Sequence, residues 1–567
     1  MNLFLLAYLA AVTGITIASP ILQRNDDDSA PSSPRVTIKQ GTLVGKHLDS
    51  FDQDIFLGIP YAQAPTGQLR FRAPQPVNTT WTGDRPAVNY GNSCYRWSKA
   101  YQHGLTYSED CLNLNVVRPS GHIGEKLPVA FWIYGGSFQS GSANLDSLNL
   151  SYPVNQSVQG GTPVLAVSVN YRMGPLGFFA SEEMKQAKEM NNGLKDLVLA
   201  VRWVQDNIES FGGDPAKITL WGQSAGAEAI ANLLTAYGGE LTGLFVGAVL
   251  ESGSSVRLPR NYLPIETWQP QFKDILEHTN CDDSKEPVNC LRSLDTDTIL
   301  DVLNSSSGIV NIPYYPAIDG DFIPDWPKNL LAQGRFVKVP MLVGANMDEG
   351  TSFGPGHIDT TDQLTSWLKK SYPEIENSTI DKLLDFYPDD PALGSPFGTG
   401  DLYSTEYGEQ YKRGNALAGD IAMAGPRRLM AETWSNAGQT VYSYNWNQSD
   451  YENPPHMGTN HKQELIYVFD NPSKEFPQSN AAIIGPDPSG KKTLLAHQIS
   501  RFVMSFIATG DPNNAKLDNT VDKWPTYNVS APKNYYFNKD DTYIEDDDWR
   551  KEAIHFTNYE VGHQFYN

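Results

Sequence analysis

Five nearly continuous apolar runs constrain this chain more than any other feature: Pro128–Tyr134, Val164–Val169, Ile218–Trp221, Val246–Leu250 and Val339–Val343. None alternates apolar with polar residues. Successive side chains of a strand point to opposite faces, so a strand that is apolar throughout is buried on both. Such strands belong to mostly parallel sheets covered by helices. Between the second and third runs, Leu194, Leu197, Val198, Val201, Val204 and Ile208 recur at helical spacing within 194–211, the stripe of a helix packed on a sheet. The pattern predicts an α/β protein with a large, mostly parallel sheet. Upstream, Arg35–Lys39 and Gly41–Gly45 read as a hairpin and Phe56–Ala62 as an extended run. The stretches from about 255 to 330 and about 354 to 440 lack this rhythm and read as helical excursions over the C-terminal ends of the strands.

The third run leads into Gly222-Gln223-Ser224-Ala225-Gly226, and an alanine-rich helical segment leads out. Strand, sharp turn and helix around Gly-x-Ser-x-Gly make a nucleophile elbow. A Cβ at either glycine would strike the adjoining strand or helix, and a serine on so tight a turn sits in strained backbone. An ordinary turn with two glycines has the same spelling, so the partners decide. A serine hydroxyl needs a base, and the base needs an orienting acid. On this kind of sheet the chain order is Ser, then Asp or Glu, then His. After the fifth run the loop offers Asp348 or Glu349, and the loop opening Leu465–Phe469 offers His456 or His461; position chooses within neither pair. The tetrahedral intermediate also requires backbone N–H donors. Ala225, directly after the nucleophile, and Gly135-Gly136-Ser137-Phe138, after the first run, fit that need.

Composition sets the exclusions. A formal net charge of −22 repels phosphate backbones, so nucleic acid is not an expected partner. Met1–Val12 is apolar and runs into small residues up to Ala18-Ser19, as in a secretory signal peptide and too short for a membrane span. The expected organisation is a signal over 1–18, a polar, acidic, disordered leader over 19–33, and one catalytic domain over 34–567 with no membrane span. Export fits the sequons at Asn78, Asn149, Asn155, Asn304, Asn377, Asn447 and Asn528. The cysteines form an even set, and sequential pairing of Cys94 with Cys111 and Cys281 with Cys290 closes two short loops, each stabilising by about 3 kcal/mol. No His or second Cys stands at ligand spacing, so neither a metal nor a cofactor is expected.

Several further motifs accompany the elbow: Gly58-Ile59-Pro60-Tyr61-Ala62, Leu69-Arg70-Phe71, Ser108–Val116, Asn170-Tyr171-Arg172, Phe211–Pro215, Asp348-Glu349-Gly350, Gly510–Asn513 and Trp524-Pro525. From about residue 34 onward the chain resembles the type-B carboxylesterases, the group containing cholinesterases, mammalian carboxylesterases and the fungal lipases of the Candida type. The resemblance implies the α/β-hydrolase fold, with Ser224 as nucleophile, Glu349 as acid and His461 as base. It implies oxyanion donors at Gly136, Ser137 and Ala225, both disulfides as paired above, and Ser252 supporting the histidine from behind. Arg70 with Glu109, and Arg172 with Asp196, are implied as structural ion pairs. Three departures stand out. Ser137 occupies a usual glycine position. Gln223 replaces the glutamate that cholinesterases carry beside the nucleophile, which weakens the case for a quaternary-ammonium substrate. Only residues 95–110 lie between Cys94 and Cys111, where the fungal lipases carry a long lid. The aromatics of that loop, Tyr95, Trp97, Tyr101 and Tyr107, are expected to pack, and Phe138 and Phe353 are candidate pocket walls. The expected protein is a secreted carboxylesterase that cleaves a small-molecule or lipid ester through an acyl-enzyme. The alternatives are a lipase acting on water-insoluble acylglycerols and a non-catalytic cholinesterase-like adhesion module.

Overall fold

The computed structural model describes residues 33–96, 104–122, 124–256, 265–304, 314–450, 452–471 and 484–566. The expected signal, nearly all of the leader, Trp97 and Tyr101 lie outside these residues, and the Asn304 sequon runs out of them.

The five apolar runs lie side by side. Among the described residues the main sheet has eleven strands: β1 Lys46–Leu48, β2 Gln53–Pro60, β3 Asn113–Pro119, β4 Leu127–Ile133, β5 Leu165–Val169, β6 Gly213–Gln223, β7 Gly247–Glu251, β8 Met341–Asn346, β9 Val441–Trp446, β10 Lys533–Phe537 and β11 Tyr543–Asp546. Their order is β11-β10-β9-β8-β7-β6-β4-β5-β3-β2-β1. From β5 to β10 every pairing is parallel, and the flanks turn antiparallel at β3–β5, β2–β3, β1–β2 and β10–β11. The expected hairpin forms from Arg35–Ile38 and Gly41–Val44. β6 begins earlier than its apolar run, and its register with β4 shifts between Gly213 and Ile218, where Pro215 has no N–H to offer the ladder.

Strands β9 and β10 lie outside the apolar runs because they carry polar residues into the interior. Ser443 Oγ donates to Asn534 Oδ1 at 2.8 Å, and Arg427 Nη1 donates to both at 3.0 Å. A buried polar group with its partners in place is tolerated, but its spelling hides the strand.

The helical stripe of 194–211 folds as Asn192–Asn207 with a 3₁₀ turn over Ile208–Phe211. The two rhythmless stretches contain helices, including Ile265–His278, Thr361–Ser371, Asn377–Phe386 and Gly425–Asn436. Cys94 is joined to Cys111 and Cys281 to Cys290. The second bridge sits beside a buried anchor. Arg70 donates to Glu109 at 2.5 and 2.8 Å, and its Nη1 donates to the Leu294 carbonyl at 2.7 Å. Arg172 likewise grips Asp196, at 2.6 and 2.8 Å. Among the sequons, Asn78, Asn377 and Asn528 are exposed, while Asn149, Asn155 and Asn447 are half-buried. Asn447 Nδ2 already donates to the Tyr536 hydroxyl at 2.5 Å.

Directly beneath the elbow, Trp132 of β4 and Trp221 of β6 stand in register, with ring centroids 4.4 Å apart. Phe469 stacks on Trp221 at 5.0 Å and meets Trp132 edge-on at 4.9 Å. Phe469 follows the short helix Leu465–Val468, so this apolar contact anchors the chain after His461 to the centre of the sheet.

After β11, Asp547 accepts from Arg427 at 2.7 and 2.8 Å, from Arg428 at 2.7 and 3.1 Å and from the Tyr527 hydroxyl at 2.9 Å. Burial alone would raise its carboxyl, but the two guanidinium groups outweigh burial and hold it far below the usual carboxylate range. A carboxyl depressed by folding stabilises above its unfolded value of about 3.9, and that stabilisation drains away as pH falls below it. Asp547→Asn, which strands two buried cations, is expected to cost about 3–5 kcal/mol at pH 7. Thermal unfolding between pH 4 and pH 2 checks this: the wild type should lose stability more steeply than the variant.

Candidate active site

Ser224 closes β6 with φ 56° and ψ −127°, a combination that residues with a Cβ avoid. Two glycines make it possible. A Cβ on Gly226 would stand 2.0 Å from the Ile133 carbonyl oxygen, and one on Gly222 would stand 2.7 Å from the carbonyl carbon of Gly226. The Ser224 N–H donates to the Glu251 carbonyl at 2.8 Å, and its own carbonyl accepts from Glu228 N–H at 2.8 Å. The helix Ala225–Thr235 starts at the next residue, so its N-terminal N–H groups lie under the hydroxyl.

The loop after β4 packs against this turn, and a Cβ on Gly135 would lie 2.9 Å from the Ser224 Cβ. Gly136, Ser137 and Phe138 all have positive φ, at 118°, 57° and 57°. Ser137 therefore sits in the left-handed region that glycine tolerates best. The N–H groups of Gly136, Ser137 and Ala225 find no protein acceptor among the described residues, so they stay free to donate. Phe138 does not reach outward: it is buried against Phe178 and Tyr315, at 5.0 and 6.1 Å between centroids.

The structure places the members of the two downstream pairs differently. His461 Nδ1 lies 2.7 Å from Glu349 Oε2, and its Nε2 lies 2.7 Å from Ser224 Oγ. A carboxylate only accepts, so Nδ1 carries the proton toward Glu349, and Nε2 is left to accept from the serine hydroxyl. Asp348 does different work. Its carboxylate accepts from Ser395 Oγ, Phe397 N–H and Thr459 N–H at 2.8–2.9 Å, which pins the base loop to the acid loop. His456 stacks on Tyr407 at 4.4 Å, away from the serine, and its Nδ1 meets the Tyr407 hydroxyl at 3.2 Å. Phe353 stands edge-on to the His461 ring at 4.8 Å. Ser252 is buried, and its hydroxyl favours the ionised form of the Glu349 carboxyl.

The electrostatics separate three buried carboxyls. Burial raises Glu349, but the charge and hydrogen bond of His461, with Ser252 and the Asn346 N–H, bring it below the usual range. Burial and then the Glu349 charge push Glu464 up to about 7. Burial and then the Glu464 charge lift Glu251 well above the carboxylate range, although Trp221 Nε1 donates to it at 2.7 Å. Only Glu349 has an imidazole in contact to favour its ionised form. Sequence reasoning missed Asn346, Glu464 and Glu251, whose sole signal is a polar residue at the edge of an apolar run.

A mostly parallel sheet carrying a strained serine at a strand-to-helix turn, with acid and histidine arriving from later loops, defines an α/β-hydrolase. The model of the carboxylesterase family matches residues 32–556. Secreted lipase 1 of Botryotinia fuckeliana (strain B05.10) is 32% identical over 561 residues, 92% of each chain. Lipase 2 of Geotrichum candidum is 32% identical over 579 residues, 94% of this chain and 96% of its own. Among solved structures, the crystal structure of Aspergillus niger EstA is similar, with a TM-score of 0.76 and 29% identity, covering 94% of this chain and 99% of that one. The chain belongs to the carboxylesterase family and is a carboxylic ester hydrolase.

If Ser137 contributes only its backbone N–H, Ser137→Gly should leave kcat within about threefold. The same change should stabilise the fold by up to about 1 kcal/mol by relieving the left-handed strain. Steady-state kinetics with calorimetry check both, and a tenfold loss of kcat would assign a role to the Ser137 hydroxyl.

Proposed function

We propose that this protein is an exported serine carboxylesterase working through an acyl-enzyme. The reading is carried by the continuous hydrogen-bonded path from Ser224 through His461 to Glu349, at 2.7 Å for each link. Ser224 Oγ forms a bond to the ester carbonyl carbon as its proton passes to His461 Nε2, and Glu349 stabilises the imidazolium. The oxyanion is received by the N–H groups of Gly136, Ser137 and Ala225. His461 then returns the proton to the departing alcohol, leaving the acyl group on Ser224, and a water activated by the same imidazole releases the acid. Neither a metal nor a cofactor enters these steps.

In the same reading residues 1–18 direct export and are removed, 34–567 form the catalytic domain, and, among the described residues, Asn78, Asn377 and Asn528 are the sequons open to glycosylation. The name of the Botryotinia fuckeliana relative includes the word secreted, which supports export. Helices of the described residues are too short or too polar to cross a membrane, and the charge of −22 argues against nucleic-acid partners.

A second reading, action on water-insoluble acylglycerols, is favoured by the names of the relatives, several of which are lipases matching over most of this chain.

Turnover of p-nitrophenyl esters of increasing acyl length, compared between wild type and Ser224→Ala, tests the mechanism. The variant should lose roughly 10⁴-fold or more in kcat, and turnover that survives it would end the proposal. Tributyrin separates the two substrate readings. Saturation below its solubility limit marks an esterase, and a rate jump above that limit marks a lipase.

A further inference from the structure

Asn346 ends β8 at the point where the acid loop and the base loop meet. Its backbone N–H donates to Glu349 Oε1 at 3.0 Å, the oxygen that His461 does not use. Its side-chain Nδ2 donates to the Asn460 carbonyl at 2.9 Å and to Glu464 Oε2 at 2.5 Å. Asn460 directly precedes His461, and Glu464 follows it by three residues. One buried residue therefore holds the free oxygen of the triad carboxylate and both flanks of the imidazole.

The orientation of the amide follows from its partners. The Asn460 carbonyl only accepts, so turning the amide over would set Oδ1 against it and lose that bond. Asn346 is only 3% exposed, so bulk water does not stand in for these bonds. Other contacts also join the two loops, through Asp348 to Thr459 and through Ser352 Oγ to Asn460 and His461. Those contacts grip the base loop alone or lie at its exposed side. Asn346 alone among them also touches the Glu349 carboxylate.

We propose that Asn346 is a positioning residue for ester hydrolysis: through the Asn460 carbonyl and Glu464 it sets where the His461 imidazole stands relative to Glu349. Displacing a catalytic group by about 1 Å can cost on the order of 10²-fold in rate. Because Asn346 bonds to the frame of the triad, its loss should appear in kcat and not in substrate affinity. The inference rests on the roles proposed for Ser224, Glu349 and His461.

The test is steady-state hydrolysis of p-nitrophenyl butyrate by the full chain, with thermal unfolding and near-ultraviolet circular dichroism verifying the fold of each variant. Asn346→Ala is expected to lower kcat about 10–100-fold with KM within threefold. Asn346→Asp has nearly the same volume but sets an oxygen against the Asn460 carbonyl and adds a charge beside Glu349, so it should lose at least as much. Glu464→Ala should also lower kcat, and adding it to Asn346→Ala should cost less than a further threefold, since both cut one linkage. Retention of kcat within threefold by either Asn346 variant, a loss confined to KM, or a milder effect of Asp than of Ala would overturn the proposal. If Asn346→Ala does not fold, the isosteric Asp variant and Glu464→Ala decide it alone. A wild type inactive on every ester, or activity surviving Ser224→Ala, would refute the triad reading instead.

Discussion

Ser224 occupies backbone that a free chain would abandon, and the closeness of β4 to the helix after the elbow is what holds it there. With Gly226 against the Ile133 carbonyl and Gly135 against Ser224 itself, no side chain can enter on either side. Strain of this kind costs on the order of 1–3 kcal/mol and persists only where the surroundings over-determine it. Here they do. The turn is hydrogen-bonded at both its N–H and its carbonyl, and the Trp132, Trp221 and Phe469 rings pack below it. The same aromatic contact fixes the chain after His461, so the packing that holds Ser224 also places His461.

Above that apolar floor the interior turns polar. Three carboxyls, Glu349, Glu464 and Glu251, lie within electrostatic reach of one another in a region closed to solvent. Ionising all three together would be prohibitive, because a few donors and one imidazole do not replace water around three charges. The imidazole favours ionisation at Glu349, and the other two are driven toward the protonated form. In the proposed mechanism the negative charge that stabilises a developing imidazolium is thereby kept on the carboxylate in contact with it.

Much of this was legible in the chain because the relevant signals are local. The five apolar runs announced the central strands, and the helical stripe from Leu194 to Ile208 announced the helix between the second and third of them. The glycines at 222 and 226 marked the elbow through a steric requirement that only glycine meets. Strands β9 and β10 were not legible, because Ser443 and Asn534 are buried by virtue of partners on other elements, and single-chain patterning carries no record of such partners. Asn346 escaped for the same reason: its three hydrogen bonds reach residues at sequence separations of 3, 114 and 118.

By itself the sequence determined the sheet class, the serine on its turn and the short list of acids and bases, since each depends on residue type and on spacing along a few turns of chain. It did not choose between Asp348 and Glu349, or between His456 and His461, without help from family resemblance. Only the tertiary structure shows which member of each pair stands in the path from Ser224. Adjacent residues at the end of a strand project in different directions, so one carboxylate faces the imidazole while its neighbour clamps the Thr459 loop. Which of the two does which is set by how β8, β9 and the base loop pack.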